Sequence, residues 1–223
     1  MAHAVLLHGL NNPPDMMKPI QQRLDQLGIS STLGQLTGHF EPLGRLDQFK
    51  RASAEVWMND VERLCQQHPA DIFVGFSLGA LLGALMAQEG RAQFKKMIFF
   101  APAFYLRTWS YLPRALSFTN IVLPSAMPKT TRANEGTPIK AYLALFDLVR
   151  QFEASKLTTP HLIIANPFDE LVDYQKTQAH FPDTVSITHT PEVKHLIVAE
   201  KYVGPENWEK IWREIRKFVG TIQ

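Results

Sequence analysis

The sequence predicts an α/β fold: a mostly parallel sheet of about six strands, flanked by helices. Three observations carry that expectation. Short apolar or β-branched runs, such as 72–75 and 97–101, alternate with longer stretches of helical periodicity. Most of these runs lack the apolar–polar alternation of a half-exposed sheet, so both faces of each strand are expected to be covered. One run also passes through a Gly-x-Ser-x-Gly turn directly into a helix that is apolar nearly all round.

Taken in order, the predicted strands are 4–7, 29–36, 72–75, 97–101, 161–165 and 185–189. The predicted helices lie between and after them. Residues 15–27 carry Met16, Ile20, Leu24 and Leu27, and residues 52–65 carry Val56, Met58, Val61 and Leu64, both at helical spacing. Residues 78–87 have no polar face and are expected at the centre of the protein. Residues 206–219 repeat Trp208, Ile211, Trp212, Ile215 and Phe218 on one side, a stripe that should pack on the sheet. After the fourth predicted strand the rhythm breaks. From Phe104 to about Lys156 runs a segment with Tyr105, Trp109, Tyr111, Phe118 and prolines at 113, 124 and 128. It is too long for a structureless loop, and is expected to form a small helical cap over the carboxyl edge of the sheet. The whole chain, 1–223, is read as one domain with this insertion at about 104–156.

At 223 residues, 45% apolar and 20% charged, the chain can bury one core of ordinary enzyme size. The net charge of +2 comes without a basic run; 91–96 and 210–217 are diluted by apolar or acidic neighbours, which excludes nucleic acid as the partner. Cys65 is the only cysteine, so no internal disulfide can form, and it reads as a packed small side chain. Residues 1–8 lack a charged leader, and no run reaches the length of a membrane span. A cytoplasmic protein is expected.

The chemistry concentrates at Gly75-Phe76-Ser77-Leu78-Gly79. A strand that turns sharply into a helix exposes the serine Oγ, and glycines at either side let the two elements approach. The helix start then offers the Leu78 N–H to a developing oxyanion. A second donor is expected from the loop after the first strand, Leu7-His8-Gly9-Leu10, at the Leu10 N–H. His8 is read as shaping that loop rather than moving protons. A serine needs a base, and the base an orienting acid. Asp169 follows the strand at 161–165 by a few residues, with Glu170 and Asp173 as nearby substitutes. His195 lies in the loop before the last helix and is preferred to His189, which sits too early, at the strand end. No spacing of His, Cys or carboxylates reads as a metal site, and this chemistry needs no cofactor.

These segments together resemble the α/β-hydrolase superfamily, and more narrowly the small bacterial carboxylesterases and monoacylglycerol lipases related to the serine aminopeptidase S33 group. The resemblance runs through Leu7-His8-Gly9-Leu10, Leu36-Thr37-Gly38-His39, Trp57 with Asp60-Val61, the Ser77 turn, Asp169-Glu170-Leu171-Val172 and His195. It implies an α/β-hydrolase fold, a Ser77–His195–Asp169 triad and Leu10 and Leu78 as oxyanion-hole residues. Relatives usually carry Gly before the histidine, where this chain has Lys194. They carry a Gly-rich turn before the aspartate, where it has Pro167-Phe168, and often a Gly after Gly38-His39, where it has Phe40.

The implied activity is a serine carboxylesterase acting on short- to medium-chain esters or monoacylglycerols, with a small-molecule ester as partner. Phe104, Tyr105 and Trp109, with Leu106, Leu112, Leu116 and Phe118 beyond them, are expected to wall an acyl pocket. A thioesterase for coenzyme A esters could use Arg107, Arg114, Lys129 or Arg132. An aminopeptidase-like amidase would want carboxylates at the mouth, and the insertion offers only Glu135 and Asp147 before Glu153, which points away from it. A binding protein on the same fold would be expected to lack a triad member. The sequence carries no sign of oligomeric state.

Overall fold

The computed structural model describes residues 2–39, 46–107, 119, 121–125, 128–188 and 194–220. Its strands are β1 (His3–Leu7), β2 (Ser30–Gly34), β3 (Ile72–Phe76), β4 (Lys96–Phe100), β5 (Val122–Pro124), β6 (Gly136–Pro138), β7 (His161–Ala165) and β8 (Val185–Ser186). Its helices are α1 (Lys18–Gln26), α2 (Leu46–Phe49), α3 (Ala54–Gln67), α4 (Leu78–Gln88), α5 (Ile139–Gln151), α6 (Tyr174–His180), α7 (Glu200–Val203) and α8 (Pro205–Val219).

Six strands form one sheet in the order β2-β1-β3-β4-β7-β8, and every pairing in it is parallel. All five residues of β3 are buried, which is why its sequence is an unbroken apolar run rather than an alternating one. The chain leaves β1 toward β2 on one side and returns to β3 on the other. That reversal opens a crevice at the carboxyl ends of β1 and β3, where a sheet of this kind offers its loops to a ligand.

The helices follow the sequence pattern with adjusted ends. Residues 14–17 form a 3-10 turn, and α1 starts at Lys18 with Pro19 in its first turn, where no N–H is required. For α3 the Ser53 side chain accepts from the Val56 N–H, so the helix opens at Ala54 rather than 52. In α4 every residue from Leu78 to Met86 is buried. In α8 the buried stripe is Trp208, Ile211, Trp212, Ile215 and Val219. Phe218 is only partly buried, its ring 5.1 Å from the Lys96 ammonium. Predicted strand 29–36 shortens to β2, an edge strand, and 185–189 to β8, with residue 189 outside the described residues.

The insertion is where the expectation changes most. Its described part is not a purely helical lid. It holds an antiparallel ribbon of β5 and β6, a 3-10 turn at Lys129–Thr131, and the helix α5. That helix packs against α4 and α3, burying Ile139, Ala141, Leu145 and Leu148. A helix with so wide an apolar face has to join the core. Among the described residues no helix is long and apolar enough to cross a membrane.

Candidate active site

Ser77 stands between the last residue of β3 and the first of α4, with φ +52° and ψ −114°. A non-glycine residue rarely adopts such a backbone, and it persists only where the surroundings over-determine it. Three hydrogen bonds do so here. The Ser77 N–H donates to the Phe100 carbonyl at 2.9 Å, and its carbonyl accepts from Leu81 and Ala103 N–H at 3.2 Å each. The flanking glycines have a steric cause. A Cβ on Gly75 would collide with the Ala80 backbone, and one on Gly79 with the Leu7 and His8 carbonyls at the end of β1.

The structure brings Ser77, His195 and Asp169 into one line. The Ser77 hydroxyl lies 2.9 Å from His195 Nε2, and His195 Nδ1 lies 2.7 Å from Asp169 Oδ2. With Nδ1–H donating to the carboxylate, Nε2 is left as the acceptor of the serine proton. Asp169 is wholly buried, and its Oδ1 accepts from the Leu171 and Val172 N–H groups at 2.8 and 3.0 Å. Burial opposes its ionisation, but the His195 charge and hydrogen bond and these two donors hold its carboxyl below the usual range. Burial likewise opposes charge on His195, yet the facing Asp169 carboxylate, helped by Glu170, holds its pKa above the ordinary value. The substitutes considered for the acid are used elsewhere. Asp173 caps α6 through the Lys176 N–H at 3.0 Å, and Glu170 is exposed at the rim. His189 lies outside the described residues.

Leu78 opens α4, so its N–H has no intrahelical acceptor. Leu10 lies in the loop after β1 and lines the same cavity as Ser77 and His195. His8 shapes that loop. Its Nδ1–H donates to the Gly9 carbonyl at 2.9 Å and its Nε2 accepts from the Leu36 N–H at 3.3 Å, so both ring nitrogens are committed. Burial pushes its pKa down to about 4. Burial, then the neighbouring Glu62, pushes the Cys65 thiol up to about 11, which disfavours its thiolate.

The cavity at Ser77, about 400 Å³, is lined on its apolar side by Leu10, Ala103, Leu106, Leu123, Pro124, Leu145, Phe146, Leu171 and Val172. Asn11, Asn12, Ser125, Thr137, Tyr142 and Glu170 are further polar residues along it. Of the expected pocket residues, Leu106 is present, and two are corrected. Phe104 is fully buried, stacked on Phe152 with ring centroids 4.1 Å apart and edge-on to Phe99. Tyr105 stacks on His180 at 5.0 Å. Both turn into an aromatic cluster behind the site because Phe152, Phe181 and His180, all distant in sequence, form a ready apolar slot. Trp109, Leu112, Arg114, Leu116 and Phe118 lie outside the described residues.

Sequence reasoning missed the ring and amide groups that complete the site. Tyr142, Leu145 and Phe146 sit on α5, whose helical spacing could have marked one face as pocket wall. Asn166 left no such signal. Wholly buried, its Nδ2 donates to the Lys194 carbonyl at 3.1 Å while its Oδ1 accepts from the Phe168 N–H at 3.1 Å, joining the Asp169 loop to the His195 loop. No group of three or more His, Cys, Asp or Glu among the described residues could hold a metal ion.

Solved structures of low sequence identity share this fold. One reported for the metagenome-derived lipolytic enzymes LipS and LipT matches at TM-score 0.72 and 18% identity, over 95% of this chain and 93% of that one. The monoacylglycerol lipase of Paleococcus ferrophilus matches at 0.74 and 16%, over 97% and 93%. A carboxylesterase structure from the thaumarchaeon Nitrososphaera gargenis matches at 0.67 and 17%, over 98% and 91%. No curated protein matches in sequence at a significant level. The profile of the serine aminopeptidase S33 hydrolases matches residues 1–144, well over half the chain, taking in Leu10 and the Ser77 turn. The protein belongs to the serine aminopeptidase S33 family of α/β-hydrolases.

Proposed function

We propose that the protein is a serine carboxylesterase that hydrolyses short- to medium-chain acyl esters or monoacylglycerols through an acyl-enzyme on Ser77. The observation that carries this is the Ser77 hydroxyl, 2.9 Å from an imidazole backed by a buried carboxylate, facing a largely apolar cavity of about 400 Å³. In the first half-reaction the Ser77 Oγ bonds to the ester carbonyl carbon and its proton passes to His195 Nε2. The carbonyl oxygen becomes an oxyanion beside the Leu10 and Leu78 N–H groups. Collapse breaks the bond to the alcohol oxygen, which leaves with the proton from His195. In the second half-reaction a water gives its proton to His195, attacks the acyl carbon and frees the acid, and the proton returns to Ser77. Donors fixed where that charge develops account for a large part of the acceleration.

The leucine, valine and phenylalanine lining favours an aliphatic acyl group, and the hydroxyl-bearing residues Thr137 and Tyr142 suit an alcohol half. The lipases and carboxylesterases that share the fold agree with that reading. No cation is among the described lining residues. Arg107 and Arg132 are turned to the Pro167 and Ser125 carbonyls, which weighs against a coenzyme A thioester. One observation favours a second reading: the Glu170 carboxylate at the rim could hold a substrate amine, as an aminopeptidase requires.

A fluorophosphonate probe and two substrate series decide between them. Ser77 should be labelled in the native protein, and Ser77→Ala should abolish labelling and lower kcat on the order of 10⁶-fold. Turnover of p-nitrophenyl esters should peak at a short or medium chain. A flat, near-zero ester profile beside brisk cleavage of aminoacyl p-nitroanilides would overturn the esterase in favour of the peptidase.

A further inference from the structure

The geometry points to Asn11 as a positioning residue, which through a buried bracket to Asn134 holds the Leu10 N–H where an oxyanion would form. This inference rests on the reading of Leu10 as an oxyanion donor proposed above. Asn11 follows Leu10 directly and sits in the left-handed region at φ +56°, which asparagine tolerates better than most residues. It is 3% exposed and Asn134 1%. The Asn11 Oδ1 accepts from the Asn134 backbone N–H at 2.9 Å and from its Nδ2 at 3.2 Å. The Asn11 Nδ2 donates to the Asn134 carbonyl at 3.1 Å. Alongside, the Ala133 N–H donates to the Asn11 carbonyl at 2.7 Å, and the Asn12 Nδ2 to the Thr131 carbonyl at 2.5 Å. The Asn134 Nδ2 also reaches the Gly38 carbonyl at 3.0 Å, tying in the loop after β2.

The tethers matter because of where Leu10 sits. Its peptide lies inside a tight turn closed by the Asn12 N–H on the Gly9 carbonyl at 3.2 Å, beyond the last ladder position of β1. No sheet or helix fixes the direction of that N–H. A donor stabilises a tetrahedral oxyanion only when aimed to within a few tenths of an ångström, and loops reach that precision through supporting contacts. On one side Gly9 lies where a Cβ would collide with the Asn12 Oδ1 at 2.7 Å and crowd the Phe76 ring at 3.1 Å. On the other the bracket ties residues 11–12 to 131–134, just ahead of β6, whose Thr137 faces the substrate cavity. The wall that meets the substrate and the donor that meets the oxyanion are thereby fixed to each other.

A bracket that only fastened the insertion would change stability and the fraction of active protein. A positioning bracket changes turnover per active site. The full chain, Asn11→Gly and Asn134→Ala would be compared on p-nitrophenyl butyrate, with sites counted by fluorophosphonate titration and tetrahedral affinity read from butylboronic acid inhibition. Glycine at 11 keeps the left-handed backbone while deleting the side chain. Per titrated site, Asn11→Gly should lower kcat about 10–100-fold with KM within about threefold, and weaken boronate binding by a similar factor. Asn134→Ala, which spares the backbone bonds, should lose about 3–10-fold by the same logic and decides the matter if Asn11→Gly does not fold. Wild-type kcat per site in the folded variants, or a loss confined to KM, overturns the bracket alone. A wild type that neither turns over ester nor takes the probe overturns the parent reading and the bracket with it.

Discussion

Acidification from about pH 7 to about pH 5 should cost the native state about 2 kcal/mol at His8 alone. The ring is fully buried, with both nitrogens committed as neutral imidazole requires, and burial lowers its pKa from 6.5 to about 4. The unfolded chain therefore binds the extra proton first. Stability is whole above the unfolded pKa of 6.5 and is lost as the pH falls from there toward 4. At 1.36 kcal/mol per unit the full loss is about 3 kcal/mol below pH 4, most of it gone by pH 5. His39, 4.9 Å away ring to ring and held well below its ordinary pKa by burial and then by His8, adds a loss of the same sign. His195 works the other way, because its raised pKa favours the folded state as the pH falls. The difference between wild type and His8→Asn cancels these other groups to first order. The assay is urea unfolding followed by tryptophan fluorescence at half-unit pH steps, with the m-value held constant. Wild type should be the more stable at pH 7, and its advantage should shrink with a slope near 1 kcal/mol per unit around pH 5. Parallel curves for the two proteins, or an NMR titration of His8 in the folded state near 6.5, would refute the argument.

Three further outcomes are expected. The acid limb of kcat/KM should fall above pH 6.5, because the Asp169 carboxylate outweighs burial in raising the His195 pKa and only the neutral ring accepts the serine proton. In Asp169→Asn that limb should move down while kcat drops about 10⁴-fold, both read from a pH–rate profile. Gly79→Ala puts a methyl group against the Leu7 and His8 carbonyls and should destabilise the fold by about 1–3 kcal/mol, measured by urea unfolding. Phe146→Ala enlarges the apolar end of the cavity and should shift the optimum of a p-nitrophenyl ester series to longer chains, with short-chain kcat/KM within about fivefold; an unmoved optimum would show that Phe146 does not bound the acyl group.

What could be read from sequence alone was whatever has a local cause. The strands β1, β3, β4 and β7 announce themselves because parallel strands buried on both faces must be apolar throughout. The Ser77 turn is legible because a single sharp bend demands glycines at fixed offsets. Phe104 and Tyr105 misled because a loop aromatic carries no mark of which side it faces. Their direction is set by Phe152, Phe181 and His180, which α5 and α6 deliver from far along the chain. The bracket of Asn11 and Asn134, 123 residues apart, has no local signature at all.

Two junctions between loops at the carboxyl edge of the sheet are made by asparagine, and there is a reason. A buried bridge between two backbones must meet donors and acceptors together without leaving a charge in an apolar setting. A primary amide does both with one planar group. Asn11 spends its oxygen on two donors and its nitrogen on a carbonyl. Asn166 spends its oxygen on the Phe168 N–H and its nitrogen on the Lys194 carbonyl. An aspartate at either position would turn a second oxygen toward a carbonyl, and a leucine would strand both backbones. Asp169, wholly buried as a carboxylate, sits where two N–H groups and an imidazole can face it. Neutral amides therefore set the spacing at these two junctions, and the wholly buried carboxylate of Asp169 is kept for the histidine whose basicity it governs.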